Sequence, residues 1–325
     1  MMSTKKYDVV GLGGCGIDFR LDVPKLPNID EKVVASNLEV SEGGVTANNL
    51  VQCGRLSLKS AWVGLLGEDQ WASHLIQKFT EAGVDVPNPS LEPDRASSQF
   101  WIIADRAGQT TMIGYPGALK NLTPQIVRKK FGKIIESCKH FHVEISSALS
   151  LSPLVEGARI AKDSGAKVIV DVDSDPFYLI EKEKIGTKKE LRELFSMADV
   201  LKFSRGAACG YAKVSKIDER VVSLIASDFS KNFSKIVVVT LADGGCIAWS
   251  REGIIKVPGF KVKVVDPVGA GDAFLGGLSY ALLKDFKIER ALKLANACGA
   301  FKCGRKGARS SGTLREIEKF FSLTF

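Results

Sequence analysis

The stretch Asp266-Pro-Val-Gly-Ala-Gly-Asp-Ala-Phe274 holds a glycine turn and a carboxylate at the start of an apolar, helix-like segment, Ala273–Leu283. Before it runs Phe260-Lys-Val-Lys-Val-Val265, whose period of two predicts a strand. A strand, a glycine turn and a helix start leave unpaired backbone N–H groups and the positive end of a helix dipole facing one point, which suits an anion. Gly269 and Gly271 let a phosphate approach the backbone closely, with Ala270 between them, and glycine takes positive φ at no steric cost. Asp272 has two readings. An acidic residue in a first helical turn stabilises the helix, and beside an anion-binding turn it also serves as a base for an attacking hydroxyl. Glycine cradle and adjacent carboxylate together fit phosphoryl transfer to an alcohol.

These residues need elements to hold them. From Thr123 onward the pattern alternates regularly between helix and strand: helix near 124–136, strand His140–Ile145, helix Pro153–Ser164, strand Ala166–Val172, then strands Val200–Phe203 and Ile236–Leu241. The last is nearly all β-branched, as in a strand covered on both faces. The expected fold is α/β, a doubly wound and mostly parallel sheet with helices on both faces. Earlier in the chain, Ile17–Val23 and Lys32–Val40 alternate, and Phe100–Ala104 and Gln109–Tyr115 flank a turn at Asp105–Gly108. By pattern alone these fit a small separate β-sheet, built from about 17–23, 32–42 and 97–116, and a surface hairpin equally well. The 325 residues show no internal repeat and no long linker, so one domain over 1–325 is expected.

Composition narrows the function classes. Lys and Arg number 45 against 37 acidic residues, a net charge of +8. They are scattered, and no dense basic run points to nucleic acid, although the bias favours anionic substrates. Seven cysteines without a CxxC pair fit a reducing, cytoplasmic compartment. No apolar run approaches the ~18 residues of a membrane span, and no signal core follows Lys5-Lys6.

Two motifs invite other readings. Gly11-Leu-Gly-Gly-Cys-Gly16 is a literal G-x-G-x-x-G after a strand, but a dinucleotide site needs a helix next. Here Ile17–Val23 alternates, and Pro24 and Pro27 follow. His140, His142 and Glu144 share a strand face and could suggest zinc, but the third histidine, His74, lies on a distant helix. Glu144 instead draws attention because it sits at the carboxyl end of its strand, where open α/β sheets bind ligands.

The stretch 266–274 resembles the C-terminal signature of the ribokinase-like (PfkB) carbohydrate kinases. Glu42-Gly-Gly-Val-Thr-Ala-Asn-Asn49, followed by an amphipathic helix, resembles the N-terminal signature of the same family, and the likeness runs from about Tyr7 to Phe321. The resemblance implies an ATP-dependent kinase acting on a hydroxymethyl group of a sugar or sugar-like molecule, with a β lid over the acceptor. It implies Asp272 as general base, Gly269, Ala270 and Gly271 as anion hole, and Asp18, Gly43, Gly44, Asn48 and Glu144 around the acceptor. Thr240-Leu-Ala-Asp-Gly-Gly245 is similar to the family's nucleotide loop, with Ala242 where a glycine is usual. Thr240, Ala242, Gly245, Ser204 and Asn296 would then meet the nucleotide, Asn296 facing adenine. The likeness also implies Mg2+ and a monovalent cation such as K+ bordered by Asp266, Val268 and the Gly304–Ala308 loop, and a homodimer through the lid.

One departure stands out. Where the family often has NxxE, the chain reads Ser204-Arg-Gly-Ala207. Magnesium is then expected to be held mainly through nucleotide phosphates and water, or by another carboxylate such as Glu144 or Asp171. A non-catalytic ligand sensor on the same fold is the alternative that this loss favours; the intact Asp272 argues for an enzyme.

Overall fold

The computed structural model describes residues 5–107, 109–229 and 235–325. Its strands are β1 Tyr7–Leu12, β2 Gly16–Asp22, β3 Asn37–Gly43, β4 Ser60–Val63, β5 Leu65–Gly67, β6 Val84–Asp85, β7 Ser90–Glu92, β8 Ser98–Ala104 and β9 Thr110–Tyr115. Then follow β10 Cys138–Ile145, β11 Lys167–Val172, β12 Val200–Phe203, β13 Ile236–Thr240, β14 Cys246–Ser250 and β15 Gly253–Val257.

Nine strands form the main sheet in the order β15-β14-β13-β12-β11-β10-β1-β4-β6, all paired parallel except that β14 runs antiparallel to its neighbours β13 and β15 at one edge. β10, β11, β12 and β13 are buried along nearly their whole length, as strands covered on both faces are. One core layer packs Phe131, Phe141, Leu154, Leu194 and Phe203; the opposite layer packs Phe274, Leu278, Leu292 and Phe301 from the helices Ala270–Leu283 and Ile288–Cys303. The register sets polar residues at the carboxyl ends side by side: Glu144 of β10 opposes Asp171 of β11, which opposes Lys202 of β12.

A separate four-stranded sheet, β3-β2-β8-β9, forms the expected small layer. Asp18 pairs with Phe100, and Ile102 with Met112, so these four share one face. Phe19 and Trp101 stack on the other face, their ring centroids 4.4 Å apart. Gly108, the expected end of the β8–β9 turn, lies outside the described residues.

Several boundaries differ from expectation. Residues 260–265 are not a strand. After β15 the segment pairs with no strand, Val264 and Val265 are exposed, and the Val265 N–H bonds to the Cys303 carbonyl instead. The glycine turn is therefore fed by a loop. Residues 32–36 also fall outside β3. Residues 60–67 divide between two sheets, β4 staying in the main sheet and β5 pairing with β7. No helix follows Gly16: the chain enters β2 directly, removing the structural context that a dinucleotide motif needs. Among the described residues, no helix is long and apolar enough to cross a membrane.

Candidate active site

The carboxyl edge of the main sheet, the small sheet and the helix Ala270–Leu283 enclose a cavity of about 1170 Å³. Its lining runs from Asp18, Gly44, Asn48 and Glu144 at one end, past Gly269, Ala270, Gly271 and Asp272, to Ser204, Thr240, Ala242, Gly245 and Asn296 at the other. Phe100, Ile102 and Met112 roof it from the small sheet. Gly43 and Asp266, absent from that lining, lie directly behind it, through contacts described below.

At the centre, Gly269 sits at φ 85°, the left-handed region, as the residue before the helix Ala270–Leu283. A Cβ there would come within 2.3 Å of the Ala308 carbonyl oxygen, so both conformation and space demand glycine. Asp272 stands in the first helical turn and is buried, and the Asn48 side-chain amide donates to its carboxylate at 2.8 Å. Burial pushes the Asp272 pKa well above the ordinary carboxylate range. The neighbouring Asp171 pushes the same way, while Lys202 and the Asn48 hydrogen bond oppose it. A carboxylate so raised is better matched to taking a proton near neutral pH.

Two cations that sequence reasoning passed over shape this centre. Lys202 is buried with its ammonium 2.8 and 3.1 Å from the two Asp171 oxygens. It lies directly beneath the turn, since a Cβ on Gly271 would be 3.0 Å from its Nζ. Burial works against its charge, but Asp171, Asp173 and Asp272 outweigh burial and hold the ammonium pKa above its usual value. Arg309 donates from Nε to the Asn48 Oδ1 at 3.1 Å and from Nη2 to the Gly43 carbonyl at 2.8 Å. With its oxygen claimed by Arg309, the Asn48 amide can only present its NH2 to Asp272. Arg309, just after the Gly304–Ala308 loop, thus reaches toward the site. A signal for Arg309 was absent because its partners are 261 and 266 residues away.

At the acceptor end, Asp18 packs against Gly43 so closely that a Cβ on Gly43 would overlap the carboxylate. Burial raises the Asp18 pKa to about 6, with Arg309 opposing. Gly44 takes φ 103° just before the helix Val45–Arg55 that carries Asn48. Glu144 accepts from the Thr46 N–H at 2.6 Å and the Thr46 hydroxyl at 2.7 Å, and from Ser146 at 3.0 Å. Burial lifts its pKa to about 7 against those hydrogen bonds.

At the other end, Ala242 adopts φ 55°, the left-handed conformation that a glycine would take without strain. Asn296 is buried and its amide donates to the Val257 and Pro258 carbonyls, both at 3.2 Å. Ser204 caps the helix Arg205–Ala212, accepting from the Ala207 N–H and donating to the Asp173 carbonyl.

The two carboxylates expected to replace the missing acidic residue are otherwise engaged: Asp171 by Lys202, and Glu144 by Thr46 and Ser146. Asp173 and Asp243 are exposed carboxylates on the cavity lining, and a hydrated magnesium ion takes such oxygen ligands. The histidines are engaged too. His142 sits between Asn49 and the Ser279 hydroxyl, His140 beside Ser279, and His74 pairs with Glu42. Burial drives the His140 pKa down to about 3, so it is neutral.

Asp266, expected beside a monovalent cation, has partners of its own. Asp266 accepts the Val268 N–H at 3.0 Å and the Gly307 N–H at 2.9 Å through its carboxylate. Its carbonyl oxygen accepts from the Lys302 ammonium at 2.7 Å.

Comparison with known proteins follows the same outline. An ATP-dependent ribose-1-phosphate kinase of Halopiger xanaduensis is 28% identical over 317 residues, covering 98% of this chain and 99% of that protein. A ribokinase of Haemophilus influenzae is 26% identical over 307 residues, covering 94% and 95%, and fructokinase-1 of Oryza sativa is 27% identical over 316 residues, covering 94% and 95%. Among solved structures, Arabidopsis thaliana ribokinase complexed with ribose and ATP superposes with a TM-score of 0.84 at 21% identity, covering 98% of this chain and 99% of that one. The ribokinase fold is thereby shown. The profile of the pfkB family carbohydrate kinases matches residues 6–314, and the chain belongs to that family.

Proposed function

We propose that the protein transfers the γ-phosphoryl group of ATP to the hydroxymethyl group of a sugar or sugar-like small molecule. The observation that carries this reading is the Asp272 carboxylate, buried beside the Gly269–Gly271 turn and oriented by Asn48 in the middle of a two-ended cavity. The activities in the relatives' names concern ribose, ribose 1-phosphate and fructose, which supports a sugar-sized acceptor.

In this reading Asp18, Gly43, Gly44, Asn48 and Glu144 hold the acceptor, and Asp272 takes the proton from its attacking hydroxyl. Ser204, Thr240, Ala242, Gly245 and Asn296 hold the nucleotide. The amides of Gly269, Ala270 and Gly271, with the Lys202 charge beneath them, stabilise the negative charge on the phosphoryl group in flight. Arg309 acts at one remove, fixing the Asn48 amide that orients Asp272. Magnesium bound with the nucleotide would neutralise phosphate charge, and Asp173 would hold its hydration shell from the cavity rim.

The whole chain acts as one kinase domain in which the small sheet is the lid, closing over the acceptor from about 17–23, 32–42 and 97–116. Leu38, Val40, Trp101, Ile113 and Tyr115 are exposed on the lid face away from the cavity, and a second copy of the chain would cover them. Sedimentation at micromolar concentration tests the dimer, and a monomer there excludes it. The activity itself is tested by ADP release over a panel of sugars, sugar phosphates, polyols and nucleosides. Turnover on a sugar or sugar phosphate is expected; none on the whole panel, with ATP binding intact, would overturn the reading.

A further inference from the structure

Lys302 lies in the last turn of the helix Ile288–Cys303, and its side chain is wholly buried. Its ammonium faces three oxygens. It donates to the Asp266 carbonyl at 2.7 Å, lies 3.5 Å from the Arg305 carbonyl, and lies 3.5 Å from the Asp266 carboxylate. Removing an ammonium from water is costly, and burial lowers the Lys302 pKa, with the Asp266 carboxylate opposing that fall and two carbonyls accepting from the ammonium. Carbonyl and carboxylate oxygens are also the ligands that a hard cation takes.

The position matters as much as the partners. Asp266 opens the loop that ends in the Gly269–Gly271 turn, and its carboxylate ties that loop to the Gly307 N–H. Gly269 packs against the Ala308 carbonyl. The Lys302 ammonium thus bridges the 304–308 loop and the anion-hole loop from behind, on the side away from the cavity.

We propose that Lys302 is a tethered cation: its ammonium supplies the charge and oxygen contacts that a free alkali cation would supply at this place, so the protein works without K+. The stem comes from the protein's own helix, and the cation therefore cannot dissociate. Its activity consequence rests on the kinase reading above; its effect on stability does not.

The test compares the parent with Lys302→Ala, which opens a cavity, and Lys302→Met, which keeps the volume but loses the charge. Each is measured in choline chloride and with K+ or methylammonium at constant ionic strength, because screening alone alters charged binding. Two readouts are taken: phosphoryl transfer, and thermal unfolding with the salts alone. The parent should change by less than about twofold in activity, with no K+-specific shift in midpoint. Lys302→Ala should lose about tenfold to a hundredfold in turnover, because its anion-hole loop is no longer held in place. K+ or methylammonium should restore part of that loss and raise the unfolding midpoint of this variant only. Lys302→Met, with no room for an ion, should lose activity and not be rescued. Activation of the parent by K+ of about tenfold or more would overturn the proposal whether or not the variants fold. So would a Lys302→Ala protein fully active in choline, or one inactive and unmoved in midpoint by either cation. If no acceptor is turned over, the midpoint shifts still decide the cation question.

Discussion

Replacing Lys202 with methionine separates the two tasks assigned to its ammonium. The Lys202–Asp171 pair has both side chains 2% exposed and a contact of 2.8 Å. Methionine keeps most of the volume but leaves the Asp171 carboxylate buried without its partner, and breaking such a pair from one side costs about 3–5 kcal/mol. At lower pH the orphaned carboxylate takes up a proton and no longer buries a charge, so the loss should shrink toward pH 5. Replacing both partners, as in Lys202→Met with Asp171→Leu, removes the uncompensated charge and should return stability to within about 1–2 kcal/mol of the parent. Activity should not return with it. The double variant still lacks the positive charge under the Gly269–Gly271 turn, and loss of one preorganised stabilising group of this kind costs about 10²–10³ in kcat. Urea unfolding at pH 5 and 7.5, paired with steady-state kinetics, reads both effects. A single variant as stable as the parent at pH 7.5 would refute the buried-pair argument. A double variant with parental kcat would show that Lys202 serves the fold alone.

Three further outcomes follow from the same geometry. Ala242→Gly should stabilise the protein by about 1 kcal/mol in urea unfolding, because alanine at φ 55° carries left-handed strain that glycine lacks; a loss of stability would contradict the strain. Glu144 has its pKa raised by burial to about 7 in the folded protein from an ordinary 4.5, so its contribution is fully present below pH 4.5 and is lost as pH rises through 7. Glu144→Gln should flatten the pH dependence of unfolding between those limits by on the order of 3 kcal/mol, and an unchanged pH profile would count against it. Arg309→Gln should lower kcat by about tenfold or more while leaving the KM for ATP unmoved, since it releases the Asn48 amide that orients Asp272; an equal rise in both KM values with kcat intact would make Arg309 a binding residue instead.

The parts of the site legible in the sequence are those whose chemistry is local. The turn 266–274 and the Gly43-Gly44 turn announce themselves because glycine and aspartate at those spacings satisfy backbone demands within a few residues. Glu144 was legible from its place at a strand end, although its hydrogen bonds to Thr46 were not. Lys202, Lys302 and Arg309 are cations in ordinary-looking surroundings. Their meaning comes from partners on other elements, such as Asp171 across a strand pair and Asp266 at 36 residues' remove. The monovalent cation implied by resemblance illustrates this, because Asp266 and Val268 match a pattern, while the Lys302 ammonium that donates to the Asp266 carbonyl comes from another element. The fold was legible through its buried parallel strands, whose apolar runs admit few readings. The run 260–265 was misread because alternation marks a segment able to pair, while here the Val265 N–H bonds to the Cys303 carbonyl at the end of a helix.

The central claim is that Asp272 is the base in a phosphoryl transfer, and Asp272→Asn in single-turnover experiments tests it most directly. Asparagine keeps the shape and the contact with Asn48, so ATP and acceptor affinities should stay close to those of the parent. The rate of transfer should fall by about 10²–10⁴. The parent's own rate should fall as pH drops through the raised Asp272 pKa, because protonation removes the base. An Asp272→Asn protein that binds both substrates and transfers phosphate at nearly the parental rate would contradict the account.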